Sequence, residues 1–156
     1  MQQAFGGILN IVFVAVFLII VSGVLAFTVS YSKAFKMKNV VLSALEEYET
    51  AGCAKKGSNC YNRIKNGAKQ YGYYPSNLRC PSGYYSFYGE GEKYFCVTTV
   101  NGTGNKSVSN GKVFRVITQV DVDIPIIKEI FSFSFFQVTG DTRVIQVQSG
   151  SNFPKS

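Results

Sequence analysis

The chain has no histidine and no tryptophan, only four prolines, and nine acidic residues against sixteen basic ones in 156 positions. Without histidine, a serine or cysteine nucleophile loses its usual base, and a metal site loses its commonest neutral ligand. No charged side chain occurs from Met1 to Ser32. The whole net charge of +7 therefore falls on residues 33–156, and so uncharged a front excludes an ordinary soluble cytosolic enzyme. Few prolines and a high apolar content also argue against disorder. The close carboxylates Asp121 and Asp123 sit two apart in an alternating pattern, which reads as the wet face of a strand rather than an acid/base couple. Gly89-x-Gly91 is a turn, because no strand-to-helix context follows it. No catalytic residue, metal, cofactor or small-molecule substrate is expected, and the chain is not read as an enzyme.

What is present begins with the run Ala4–Val29, apolar apart from Asn10, Ser22 and Thr28. As a helix it spans about 39 Å at about 1.5 Å per residue, against a hydrocarbon core of about 30 Å. A secretory signal peptide has a basic front and a shorter apolar stretch. This run has neither feature. Lys33, Lys36 and Lys38 follow it, which under the positive-inside rule places residues 33–156 in the cytoplasm. The cysteines Cys53, Cys60, Cys80 and Cys96 point the other way: an even number in a small loop-rich domain reads as two disulfides in an oxidising compartment. Their spacings do not match the short clamps of structural zinc sites. The expected location is thus the outer side of the cell membrane. Four cysteines allow three pairings, and the shortest loops, Cys53 to Cys60 and Cys80 to Cys96, are the easiest to close. A tight Gly89–Glu92 turn would nevertheless set Cys96 opposite Tyr85 instead of near Cys80.

Beyond the apolar run the helical pattern continues. Met37, Val41, Ala44/Leu45 and Tyr48 recur at steps of three and four, with no Pro or Gly from Ser32 to Ala51, which predicts one helix from about Ala4 to Ala51 with an apolar stripe in its second half. The chain accordingly divides into residues 1–52, a long helix with a membrane or assembly segment at 4–29, and residues 53–156, a disulfide-bearing domain. In the latter, Tyr61–Gln70 reads as a short basic helix ending near Gly72. Tyr84–Tyr88 and Lys93–Val100 form a hairpin candidate. Asn101–Gly111 is a loop carrying glycosylation-type patterns at Asn101 and Asn105. Lys112–Ile124 is the clearest strand, with Phe114, Val116, Val120 and Val122 on a dry face and Arg115, Gln119, Asp121 and Asp123 on a wet one. The dry face is expected to pack on the helix stripe. Pro125 ends the strand, Ile126–Ile130 makes a helical turn, and Phe131–Val138 with Thr142–Gln148 forms a last hairpin around Thr139-Gly140-Asp141.

One further pattern carries candidate binding chemistry. Tyr61, Tyr73 and Tyr74 interleave with Arg63, Lys65, Lys69 and Arg79, a mixture able to stack rings and hold anions of cell-surface polymers or DNA. The plainer reading is that half of these tyrosines fill a small core.

An apolar helix, its amphipathic continuation, a cysteine-bearing loop region and an antiparallel meander, in that order, resemble the pilin-like family, meaning type IV pilins, pseudopilins and the TadE-like proteins of tight-adherence systems. Phe5–Tyr48 carry the resemblance in the helix; Ile124-Pro125-Ile126-Ile127 and Val138-Thr139-Gly140-Asp141-Thr142 look like C-terminal segments of TadE-like proteins. Pilins typically bear a Glu near the start of the apolar segment, where this chain has Asn10. The resemblance implies an α+β fold with the long helix packed against a small antiparallel β-meander. It implies a structural subunit of an extracellular pilus-like filament or pseudopilus, held in the membrane before assembly. Polymerisation with copies of itself would use Phe5, Ile8, Asn10, Phe13, Phe17, Val21, Val24 and Phe27. The other reading of the same residues is a monomeric bitopic membrane protein whose basic, tyrosine-rich extracytoplasmic domain binds a carbohydrate, nucleic acid or partner protein.

Overall fold

A computed structural model describes residues 2–49, 53, 57–75, 78–89, 92–100, 111–121 and 135–146. The expected helix is continuous, α1 running Gln2–Tyr48 without a break. It stops at Glu49, whose φ of 43° is left-handed, ahead of Gly52, which lies outside the described residues. Helix α2 is Asn59–Tyr71, opened by the Ser58 side chain accepting from the Tyr61 N–H and closed by Gly72 at φ 58°. A left-handed residue at that position satisfies the last carbonyls of the helix, and glycine adopts it without strain.

Among the described residues five strands follow: β1 Tyr85–Gly89, β2 Glu92–Val100, β3 Gly111–Asp121, β4 Phe135–Asp141 and β5 Ile145–Gln146. The sheet is antiparallel in the order β1-β2-β3-β4, with β5 also on β3. The fold is thus α+β, a long N-terminal helix packed against a small antiparallel sheet. Ala34, Met37, Val41, Ala44 and Leu45 of α1 form one core with Phe114, Val116 and Val120 of β3 and with Ile64 and Ala68 of α2. The helix stripe and the dry face of β3 meet as the periodicities require, and Tyr48 packs at the margin. Val122, Asp123, Ile124, Pro125 and the turn at 126–130 lie outside the described residues, as do Asn101 and Asn105. Thr118, between the apolar side chains of that face, donates its hydroxyl to the Ala34 carbonyl at 3.1 Å, pinning the sheet to the helix.

Three expectations about the sheet are corrected. First, the bond Cys80–Cys96 does form, as does Cys53–Cys60, but Cys96 stands opposite Ser86, not Tyr85. Gly89 pairs with Glu92 as a tight turn requires, and the register then slips between Tyr88 and Ser86. One extra residue in a strand bends it and shifts every later pair.

Second, no hairpin closes around Thr139-Gly140-Asp141. These residues are paired within β4, opposite Ile117, Val116 and Arg115. After a break at 142–144 the chain rejoins the same side of β3 as β5. Thr142 bridges the break: its N–H donates to the Phe114 carbonyl at 2.9 Å and its hydroxyl accepts from the Phe114 N–H at 3.0 Å. Gly140 is there for close approach rather than for a turn, since a Cβ on it would lie 2.9 Å from both Leu42 Cδ1 and Lys38 Cδ of α1. Arg115 and Asp141, directly opposed on β3 and β4, make a two-pronged ion pair at 2.7 and 2.8 Å. The guanidinium's hydrogen bonds hold the Asp141 carboxyl below the usual carboxylate range.

Third, the outer face of β3 is wet only in part: Arg115 and Asp121 keep partial exposure, but Ile117 is buried and Gln119 is only 2% exposed, because the segment after α2 reaches across Gln119. β2 and β3 are paired only as far as Cys96 and Ile117. Where that ladder ends, the Tyr73 hydroxyl takes over from it, donating to the Gln119 carbonyl at 2.8 Å and accepting from the Gln119 N–H at 2.9 Å. Burial pushes the Tyr73 phenol above the ordinary tyrosine range, against the pull of that backbone hydrogen bond, and Asp121 adds to the rise. Two paired glutamines then hold the Arg79 peptide: Gln119 Oε1 accepts from the Arg79 N–H at 3.0 Å, and Gln137 Nε2 donates to the Arg79 carbonyl at 3.1 Å. Cys80 follows at once. The cover over β3 is thus tied by a phenol, two amides and a disulfide. Tyr73→Phe keeps the ring but strands a buried N–H and C=O, at a cost of about 1–3 kcal/mol. Chemical denaturation of the two proteins should show that loss, together with faster amide exchange at Gln119.

Candidate functional site

Uniform apolarity in the first half of α1 leaves no polar face with which to meet water. From Ile8 to Leu25 its large apolar side chains are 37–71% exposed. This half extends from the domain as a bare rod, long and apolar enough to cross a membrane. In water such a surface is strongly unfavourable at about 25 cal/mol per Å2. It must be covered by lipid or by protein. Ser22 and Thr28 do not interrupt the surface, since each hydroxyl donates to the carbonyl four residues back, at 2.8 and 2.7 Å.

Of the residues expected to mediate assembly, Ile8, Asn10, Phe13, Phe17, Val21 and Val24 all lie on this bare half and are exposed. Phe5 is in the same helix, its side chain outside the described residues. Phe27 differs: its ring meets Phe136 of β4 edge-on at 5.2 Å, so it belongs to the grip of the domain on the helix. On the side facing β4 the bare surface therefore ends at Phe27, two residues before the apolar run does.

The tyrosine and cation set does not form one site. Tyr61 and Tyr73 are buried in the core. Arg63 is engaged with Glu47 and with the Ser43 hydroxyl at 3.1 Å, linking α2 to α1. Lys65 is half-buried and Lys69 exposed on α2, whereas Tyr74 and Arg79 lie exposed on the cover over β3. Position in sequence interleaved them; the fold separates them. Between the helices runs an open groove of about 550 Å3. Its lining of Asn59, Asn62, Arg63, Asn66 and Gln70 recurs at helical spacing along α2, a polar stripe that counting tyrosines and cations had passed over. Among the described residues no cluster of acidic or cysteine side chains is arranged to hold a metal.

No family model, curated protein or solved structure matches the chain. The shape itself, a long apolar N-terminal helix packed in its second half on a small antiparallel sheet, is pilin-like. Together with two disulfides it fits a membrane-anchored extracellular protein.

Proposed function

We propose that the protein is a structural subunit of an extracellular pilus-like filament or pseudopilus, inserted in the cell membrane before assembly and polymerising through the bare half of α1. One observation carries this reading: a single unbroken helix is apolar on every side for its first half and clamped to a disulfide-bearing domain in its second. Such a rod has two stable environments, a bilayer or a bundle of its own kind, and passing from one to the other exchanges lipid contacts for helix contacts. The domains would then stand outward around the bundle. A monomeric bitopic receptor is the second reading, favoured by the amide-lined groove on α2. The two differ in where the protein is found. A filament subunit appears in material sheared from cells, as thin filaments in negative stain, and a receptor stays with the membrane.

Asn10 offers a sharper test. A lone amide among apolar helices is costly unless it finds a partner, and the same residue on a neighbouring copy provides one and fixes register. Asn10→Leu should leave the protein folded and inserted but give fewer or irregular filaments in sheared fractions. Regular filaments in wild-type amount would remove Asn10 from the assembly mechanism.

A further inference from the structure

The grip of the domain on α1 begins at Phe27, two residues before the apolar run ends, so no stalk separates the domain from the level at which a membrane would stop. What lies at that level is unusual for the surface of a soluble domain. Phe136, 40% exposed, sits against Phe27, and Tyr74, 52% exposed, lines a small recess with Ser30 and Lys33 of α1. On α1 itself the exposed rings of Tyr31 and Phe35 stack at 6.3 Å. Lys33 and Lys36 are interspersed with them, and neither has a carboxylate partner among the described residues. Lys36 instead stands over the Tyr71 ring at 5.7 Å. The one acidic residue lining the recess, Asp121, already accepts from Gln119 Nε2. Tyr31, Lys33 and Lys36 lie about 3, 6 and 10 Å beyond Val29 along the helix, and a headgroup layer is about 5–7 Å deep. Lysine stems reach downward by several ångströms, their methylenes covering apolar surface while the ammonium stays in the polar layer.

We infer that the base of the domain, formed by Tyr31, Phe35, Tyr74 and Phe136 with Lys33 and Lys36, is a seat for anionic phospholipid headgroups of the outer leaflet. Rings at an interface and ammoniums among phosphates are the two anchors by which proteins fix their depth in a bilayer. The seat is continuous with the apolar helix and carries the complementary charge. It also gives the lysines after the span a purpose on the outer side, where the positive-inside rule would not have put them. Before assembly the domain is held upright against the membrane at one depth. The inference rests on the membrane-inserted half of the proposed function, and the test separates the two.

Because the chain has no tryptophan, a single introduced one is a clean reporter. The full chain is inserted in phosphatidylcholine vesicles with or without phosphatidylglycerol, containing lipids brominated near the chain ends for the reporter at 17 and near the glycerol for those at 74 and 144. Phe17→Trp reports insertion, Tyr74→Trp the seat, and Val144→Trp, exposed at the level of Glu46, the far end. Quenching of the reporters at 17 and 74 but not at 144 is expected, stronger with phosphatidylglycerol. Changing Lys33→Gln or Lys36→Gln should lower the seated-to-lifted ratio by about fivefold for each lysine lost. If 74 is quenched no more than 144 while 17 is quenched, the seat is overturned and the insertion stands. If 17 is not quenched, the membrane reading falls and the seat with it. Equal quenching at 74 with and without phosphatidylglycerol, unaffected by the lysine changes, overturns the anionic headgroup as its ligand. Shielding of 74 that rises with protein concentration in detergent assigns the surface to a second copy instead.

Discussion

Val120→Asp should unfold the domain outright at ordinary temperatures. Val120 is 1% exposed in the core that joins β3 to α1, and nothing cationic faces it from the helix stripe of Met37, Val41 and Leu45. An unpaired carboxylate in such a place costs several kcal/mol or is forced to take a proton, out of a total stability of about 5–15 kcal/mol for a domain. The neighbouring Gln119→Asp, harmless were that side chain in water, is expected to cost about 1–3 kcal/mol: it removes the amide that donates to Asp121 and sets a second carboxylate beside it. Val144→Asp, on an exposed side chain, should stay within about 0.5 kcal/mol of wild type. Thermal unfolding in detergent should show no cooperative transition for Val120→Asp and a lower midpoint for Gln119→Asp than for Val144→Asp. Equal tolerance at 119 and 120 would contradict the packing of β3 between helix and cover.

A charge in the bare half of α1 should abolish filaments without touching the domain. Ala15→Lys or Val16→Asp sits near the middle of the span, where membrane insertion costs about 3 kcal/mol, and a dry helix bundle offers the charge no water at all. The domain, which grips α1 only from Phe27 onward, should retain its two disulfides and its unfolding midpoint. Sheared fractions should be empty of filaments. The complementary experiment removes residues 1–26 and leaves Phe27 on Phe136, which should yield a soluble, disulfide-bonded monomer. Polymerisation of that truncated protein would show that the bare helix is not the assembly element.

Features that depend on neighbours in sequence were legible from it. The continuity of α1 followed from an uninterrupted stripe, and both cysteine pairs from short loops. The dry face of β3 followed from period two. Features that depend on what arrives from elsewhere were not. Nothing near Gln119 announces that Tyr73 and Arg79, some 40 residues earlier, will cover it. Gly140 between Thr and Asp has the composition of a turn, and only the nearness of Leu42 and Lys38 reveals it as a contact point. Tyr61 and Tyr73 look like their exposed neighbour Tyr74, because a phenol suits both core and surface. The candidate site divides in the same way: its bare helix is written in composition, whereas the ring of aromatics and lysines at the domain's base is assembled from α1, β4 and the segment after α2.

The successive contacts of α1, with Phe136 at Phe27, Thr118 at Ala34, Gly140 near Lys38 and Arg143 at Glu46, have a mechanical consequence. β4 and the residues just after it run alongside the helix in the same direction, so tension applied along the helix axis loads every contact at once, in shear. Shear must break them together, whereas peeling would take them one at a time. The Cys53–Cys60 bond, just past the end of α1, fastens the chain leaving it to the start of α2. A pull on the rod is therefore resisted along the full length of the joint, and a twist of the rod turns the domain with it.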